Sequence, residues 1–349
     1  MSAQSSTAQS LAAQTATAQF AEVSRTARKL TDAGYIRGLA APRPARVWLA
    51  TALLWAQLVL VWAAALAGPL WLLPACFLVV SAVIQGMLLW THEASHFTLF
   101  ADRRRNDLWC DVFFSAPIGM SVAAYRAKHN THHAHFGTAK DEDHASYFPP
   151  VRGARSFGGL LLRTLSGAAG VRLALDKYLS PDAESAPVRP VIPRWLSLGW
   201  TLVFNLALLG LCVAAGRWWA YPLLWLYPVL TVAVLLNVVR TSAEHQPAGY
   251  PGGPEGEVPM RAEVRTTLPN PLEKWLLYQA NFNYHVEHHL FPRVPQHNLR
   301  ELHAHLRARG FYDTYPEMLQ PSGFARFRAL IRGRQAPDRA AAPRGVLAG

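Results

Sequence analysis

Cysteine is scarce in this chain: Cys76, Cys110 and Cys212 are the three thiols among 349 residues. They are too few and too scattered for a disulfide scaffold or a thiolate metal site. Acidic residues are outnumbered, 22 against 34 basic, which leaves a net charge of +12. That balance suits nucleic acid, but no aromatic-basic binding module accompanies it and the Lys and Arg residues flank apolar runs. Anionic lipid headgroups are the expected contact, and no nucleic-acid partner is expected. Charge of either sign is sparse, 16% against 51% hydrophobic residues, yet the mean hydropathy is only +0.08. Apolar and polar residues must therefore be segregated, which excludes a disordered polymer and disfavours a simple soluble domain. One residue type is abundant instead: fourteen histidines point to chemistry carried by imidazole.

Residues 1–24 hold few large apolar side chains and are expected to form a disordered tail. The first apolar run begins only near Arg46, so no cleaved secretory signal is expected. Uncharged runs then cover residues 47–67 and 70–90, and a second pair covers 195–215 and 218–239. Each is long enough to cross roughly 30 Å of hydrocarbon at about 1.5 Å per residue. The expected fold is an all-α integral membrane protein: four transmembrane helices in two hairpins, with a cytoplasmic helical cap. This domain is expected over residues 25–320, followed by a basic tail, 321–349.

The turns at Gly68-Pro69 and Gly216 are short and almost uncharged. By contrast, Arg25, Arg28, Lys29, Arg37, Arg43 and Arg46 precede the first span and Arg103 to Arg105 follow the second. The positive-inside rule then places both termini and the central segment on the cytoplasmic side of the inner membrane. Asp111 to Tyr125 is apolar but short and interrupted at Pro117-Ile118-Gly119, which suits a re-entrant or interfacial piece. An interfacial helix is expected over Leu160 to Leu179, a Pro-rich linker over Ser180 to Pro193, and a helix over His297 to Arg309 that stops at Gly310.

Three histidine clusters lie near the span ends: His92 and His96 in HEASH, His129, His132 and His133 in HNTHH, and His285, His288 and His289 in HVEHH. Spacings of three and four residues put such imidazoles on one helix face, and the topology puts all three clusters on one side of the membrane. Eight histidines exceed what one ion binds, so two ions are expected, and imidazole alone does not name the metal. His245, just past the fourth run, is a plausible ninth ligand. His135, His144, His297, His303 and His305 lack the spacing and are expected to be structural or surface residues. Glu93, Glu244, Glu287, Asp141 and Asp143 stand near the clusters and are candidates to accept the second ring N–H of a ligand.

The boxes and their surroundings, THEASHFTLF, AKHNTHHAHFGTAKDEDHASYFP and NFNYHVEHHLFPRVPQHN, resemble the membrane fatty acid desaturase and hydroxylase superfamily. Its pattern is H-x-x-x-H, H-x-x-H-H, H-x-x-H-H around two transmembrane hairpins. The resemblance implies a non-haem centre of two iron ions, O2 as co-substrate, and a separate electron donor of ferredoxin or cytochrome b5 type with its reductase. It implies His92, His96, His129, His132, His133, His285, His288 and His289 as ligands, with His245 as a further one and no separate side-chain acid or base. The chain has no H-P-G-G and keeps His285 where front-end desaturases usually carry Gln. The implied activity is a membrane desaturase acting on an acyl chain or lipid; the alternative is a hydroxylase or ketolase acting on a lipid, carotenoid or small metabolite.

Two other readings stem from the residues alone. His92-Glu93-Ala94-Ser95-His96 satisfies H-E-x-x-H, the zinc protease pattern with Glu93 as general base, but this leaves two clusters unexplained. A histidine-rich metal transporter or chaperone would place its site near the bilayer midplane, whereas these boxes lie beyond the apolar runs.

Overall fold

The computed structural model describes residues 20–135, 141, 154–179, 191–245 and 264–332. The expected linker from Ser180 to residue 190, His144, Asp143 and the outer parts of both tails lie outside these residues. The chain is mostly helical. Among the described residues, four helices are long and apolar enough to cross a membrane: Pro44–Ala67, Leu70–Ser95, Arg194–Ala214 and Pro222–His245.

The first span opens with Pro44 in its first turn, where the missing N–H costs nothing. It runs to Gly68-Pro69 and is followed by a 3-10 turn, Leu70–Leu72, that leads into the second span. This second helix is the central one. From Val80 to Ser95 nearly every residue is buried, whereas the first and third helices expose Leu49, Leu53, Val59 and Leu60, and Leu202, Val203, Leu206 and Val213. Such broad apolar surfaces match a lipid environment. Exposed Trp48 and Trp195 mark the starts of the first and third spans, and Trp71 and Trp218 stand at the connecting turns, the positions favoured at membrane interfaces.

The fourth span corrects its expected bounds of 218–239. Gly216 adopts positive φ, 69°, and residues 217–219 are used in the turn. There the Arg217 guanidinium donates to the Ala65 and Gly68 carbonyls at 2.7 and 2.8 Å. It caps the end of the first span, where a cation is favoured, and ties the two turns together. The helix therefore starts at Pro222 and extends to His245. Asn205 joins the third and fourth spans: its Oδ1 accepts from Tyr221 Oη at 3.0 Å and Trp225 Nε1 at 3.1 Å.

Between the second and third spans the chain forms Arg103–Cys110, a π turn over Asp111–Ser115, a 3-10 turn over Ala116–Ile118, left-handed Gly119, and the helix Val122–His135. The two halves meet at 92°, the interruption the Pro-Ile-Gly motif implied. Asp111 stabilises the bend by accepting the Val122 N–H at 2.8 Å and the Ser197 hydroxyl.

A second core lies beyond the box end of the spans. Val23, Ala27, Leu39, Val286, Leu290, Leu299, Leu302, Leu306 and Phe311 pack together in it. Helix 20–30 contributes Val23 and Ala27, so the last residues of the segment expected to be a tail are helical and packed. Order also continues past residue 320, because Phe327 and Leu330 of the helix Gly323–Ile331 pack on Val239 of the fourth span. The expected helix over Leu160 to Leu179 is two helices, Ala154–Leu165 and Ala168–Leu179, separated at Gly167. The later helix is Gln296–Ala308, with left-handed Gly310 after it, close to expectation.

Candidate metal centre

The second span carries His92 in its last turn, with His96 at its C-cap. The helix Val122–His135 carries all of the second box, and the short helix His285–Leu290 carries the third. The fourth span ends on His245. The structure brings all nine of these imidazoles into one cluster, in two groups.

In the first group, ring nitrogens of His92, His96, His129, His133 and His288 all lie within 4.8 Å of one another. The Nε2 atom of His129 is 3.1 Å from that of His96 and 3.0 Å from that of His133, and His133 Nε2 is 3.2 Å from His288 Nε2. His132, His245 and His289 form the second group. His285 extends it, its Nε2 lying 2.9 Å from that of His245 and 3.2 Å from that of His289. The helices divide unequally between the groups. The second span serves only the first group and the fourth span only the second, while the second-box and third-box helices each serve both.

The donor set fits metal. Ligand nitrogens at about 2.0–2.1 Å from a common ion are roughly 3 Å apart when they occupy adjacent octahedral positions, close to the spacing here. Both ring nitrogens of His92 are buried without a hydrogen-bond partner among the described residues, an arrangement that is costly unless something else binds them. Burial holds the His96 imidazole down at about 3, with the Arg126 charge adding to the effect. Burial, followed by neighbouring imidazoles, also holds His285, His288 and His289 well below the ordinary value. These rings are neutral at physiological pH and offer lone pairs.

The carboxylates take different roles. Asp141 places both oxygens 3.0 Å from His132 Nδ1, orienting that ring with Nε2 toward the cluster. Glu93 does not reach a box imidazole among the described contacts; it accepts from Thr98 Oγ1 at 3.0 Å and from the Gln296 N–H at 3.1 Å. Glu287 also faces away, accepting from Thr266 Oγ1 at 2.6 Å, from His303 Nδ1 at 2.7 Å and from the Tyr312 hydroxyl. It anchors the third-box helix to the second core, and His303 is structural, as its spacing suggested. The Tyr312 hydroxyl is pushed well above the ordinary tyrosine range by burial and then by Glu287, so it stays protonated to donate.

One group of residues was not singled out from sequence. Arg126, on the second-box helix, donates to the Ser95 carbonyl at 2.7 Å and the Ala94 carbonyl at 3.0 Å while pairing with Asp107. Asn106 donates to the same Ala94 carbonyl at 2.9 Å. Together they hold the end of the second span between His92 and His96. The backbone at Phe97 has positive φ, 58°, and so do Ala280 and Asn281 ahead of the third box, both at 55°. Such conformations are unfavourable for non-glycine residues and persist where surrounding packing imposes them.

A family model described as "Fatty acid desaturase" matches residues 69–322, a stretch that contains every box and all but the first of the four long helices. The chain belongs to the fatty acid desaturase family. Among similar proteins of this superfamily, the dihydrorhizobitoxine desaturase of Bradyrhizobium elkanii is 27% identical over 241 residues, covering 64% of this chain and 65% of that protein. The chain thus matches just under two thirds of that relative's length. The beta-carotene ketolase of Paracoccus sp. (strain PC1) is 29% identical over 258 residues, 69% of this chain and 86% of the ketolase. The sphingolipid delta(4)-desaturase/C4-monooxygenase DES2 of Bos taurus is 26% identical over 287 residues, 81% of this chain and 80% of that protein. Desaturase-family membership and the orientation of Glu93 both disfavour the zinc protease reading, since a general base must aim at metal-bound water rather than at Thr98 and a backbone amide.

Proposed function

We propose that this protein is a membrane-bound, O2-dependent desaturase acting on an acyl chain or lipid. In this reading two non-haem iron ions are held by His92, His96, His129, His132, His133, His245, His285, His288 and His289. The convergence of nine imidazoles, five in one group and three in a second that His285 adjoins through His245 and His289, carries the reading. The chemistry that such a metal pair supplies when bound is activation of O2 for attack on an unactivated C–H bond, which no side chain performs unaided.

The chain's own residues bind and position. Asp141 holds the His132 tautomer, Arg126 fixes the end of the second span, and Phe282, whose ring centroid is 4.5 Å from that of His92, covers the cluster with apolar surface. The apolar spans supply the route for the substrate chain. Arg37, Arg43, Arg46, Arg103, Arg104, Arg105 and Arg194 stand toward the box end, whereas Arg217 at the opposite turns uses its guanidinium on backbone carbonyls. This asymmetry supports two hairpins with the boxes and both termini on the cytoplasmic side of the inner membrane. Electrons come from a separate ferredoxin or cytochrome b5 type partner with its reductase.

A hydroxylase or ketolase on a lipid, carotenoid or small metabolite is the second reading. It is favoured by similarity to proteins named a ketolase and a ceramide hydroxylase. Expression with a reductase system, followed by mass spectrometry of lipids and small metabolites, separates the two. Loss of two hydrogens reports desaturation, and gain of one oxygen reports hydroxylation. The products should vanish in His133→Ala, and purified protein loaded with ferrous iron should hold two ions per chain. Active, metal-replete protein without iron would overturn the assignment.

A further inference from the structure

The two nitrogen groups are unequal in number, and a carboxylate stands beside the smaller one. Glu244 is fully buried, 0% exposed, and one of its oxygens lies within 4.8 Å of ring nitrogens of both His245 and His285. Its Oε2 is 3.6 Å from His285 Nε2 and accepts from the Arg240 guanidinium. Its Oε1 is buried with no hydrogen-bond partner among the described residues. A buried carboxylate oxygen without a donor carries a large desolvation cost, and the carboxylate that bears it stands, through Oε2, beside the group with fewer nitrogens.

Resting on the two-iron reading, we infer that Glu244 is an oxygen ligand to the second ion, completing the donor set of His132, His245, His285 and His289. Arg240 is the positioning residue: it is pinned by Asn237 Oδ1 at 2.9 Å and lies over the Phe282 ring at 4.3 Å, and it holds Oε2 so that the carboxylate cannot rotate away. The two sites then differ in kind. The first offers five neutral nitrogens, whereas the second offers four nitrogens and one hard anionic oxygen, a donor that favours the more oxidised, harder ion. Each helical neighbour of a ligand ordinarily faces elsewhere, but position 245 ends its helix, which leaves both side chains at the same rim of the cluster.

The test uses the full chain in detergent, loaded with ferrous iron-57, and reads iron per chain, affinity by chelator competition, and Mössbauer spectra. His96→Ala and His289→Ala assign the spectral components to the first and second sites. Glu244→Gln, close in shape but neutral, is expected to keep the first component while weakening iron at the second by about 10–100-fold and altering that component alone. Glu244→Ala should behave in the same way and recover the second component when formate is added. If the two sites respond equally to Glu244→Gln, whether both kept or both lost, or if the first is the one affected, the assignment is overturned. Wild-type protein that binds no iron pair would instead defeat the underlying two-iron reading.

Discussion

Arg126 and Asp107 form a buried two-point ion pair, with Nη1 to Oδ2 at 2.9 Å and Nη2 to Oδ1 at 2.5 Å, both side chains almost without solvent exposure. The same guanidinium binds the Ala94 and Ser95 carbonyls, so it couples the second-box helix to the first box. Removing one partner of such a pair leaves an uncompensated charge, at a cost of about 3–5 kcal/mol. Arg126→Met should therefore lower the melting temperature in detergent and reduce bound iron together. Arg126→Lys should recover little of either, because an ammonium cannot reproduce the planar fork.

Asp141 holds the His132 ring through Nδ1. Asp141→Asn should leave the helices folded, as judged by circular dichroism, while weakening iron by about 10–100-fold. A chelator titration gives the affinity, and an unchanged value would remove Asp141 from the positioning role.

Glu93 separates the oxygenase from the protease. Because its carboxylate is used by Thr98 and the Gln296 backbone, Glu93→Gln should retain two irons per chain and change product yield modestly. Abolished peptide hydrolysis, with iron chemistry untouched, is the outcome that would restore the protease reading.

Acid should destabilise the metal-free protein before it would destabilise an ordinary helical bundle. His96 has a folded-state value of about 3 against a reference of 6.5. Between those values the unfolded chain binds more protons than the folded one. Stability therefore falls as pH drops below 6.5, by about 1.4 kcal/mol per pH unit for one such residue across the middle of that window. Melting of iron-free protein from pH 7 to pH 4 checks the sign, and a His96→Asn variant should show a shallower slope.

Gly86 marks a close approach. A Cβ there would lie 2.5 Å from Gln279 Oε1 and 3.0 Å from Leu54 Cδ1, while Gln279 Nε2 is held by the Ala82 and Trp275 carbonyls at 2.7 Å each. Gly86→Ala should cost about 1–3 kcal/mol as overpacking and displace the segment ahead of the third box. Thermal melting gives the first effect and iron content the second.

Much of this site is local in sequence. Uncharged runs report on hydrocarbon thickness, and the three- and four-residue spacings of the boxes report on helix pitch, so the long helices and the nine histidines are legible without coordinates. The carboxylates were harder to read. Neighbours in a helix point about 100° apart, so Glu93 and Glu287, adjacent to or between ligand candidates, turn toward Gln296 and His303 instead. Arg126 and Asp107 are nineteen residues apart and belong to no motif. The start of the fourth span is not legible in the sequence because Trp218 and Trp219 are apolar yet lie in the turn that Gly216 makes.

The way the helices divide between the two nitrogen groups has a mechanical side. Each ion, once seated, would rivet one membrane helix to the same pair of short helices: the second span through His92 and His96, the fourth through His245. Stripping a single ion would thus unfasten one span and leave the other clamped, so metal loss should proceed in two stages with distinct protease-sensitive intermediates. His132 and His133, adjacent on one helix, fall in different nitrogen groups, so the offset between the groups on that helix is one residue's angular step, a dimension that bilayer thickness does not alter.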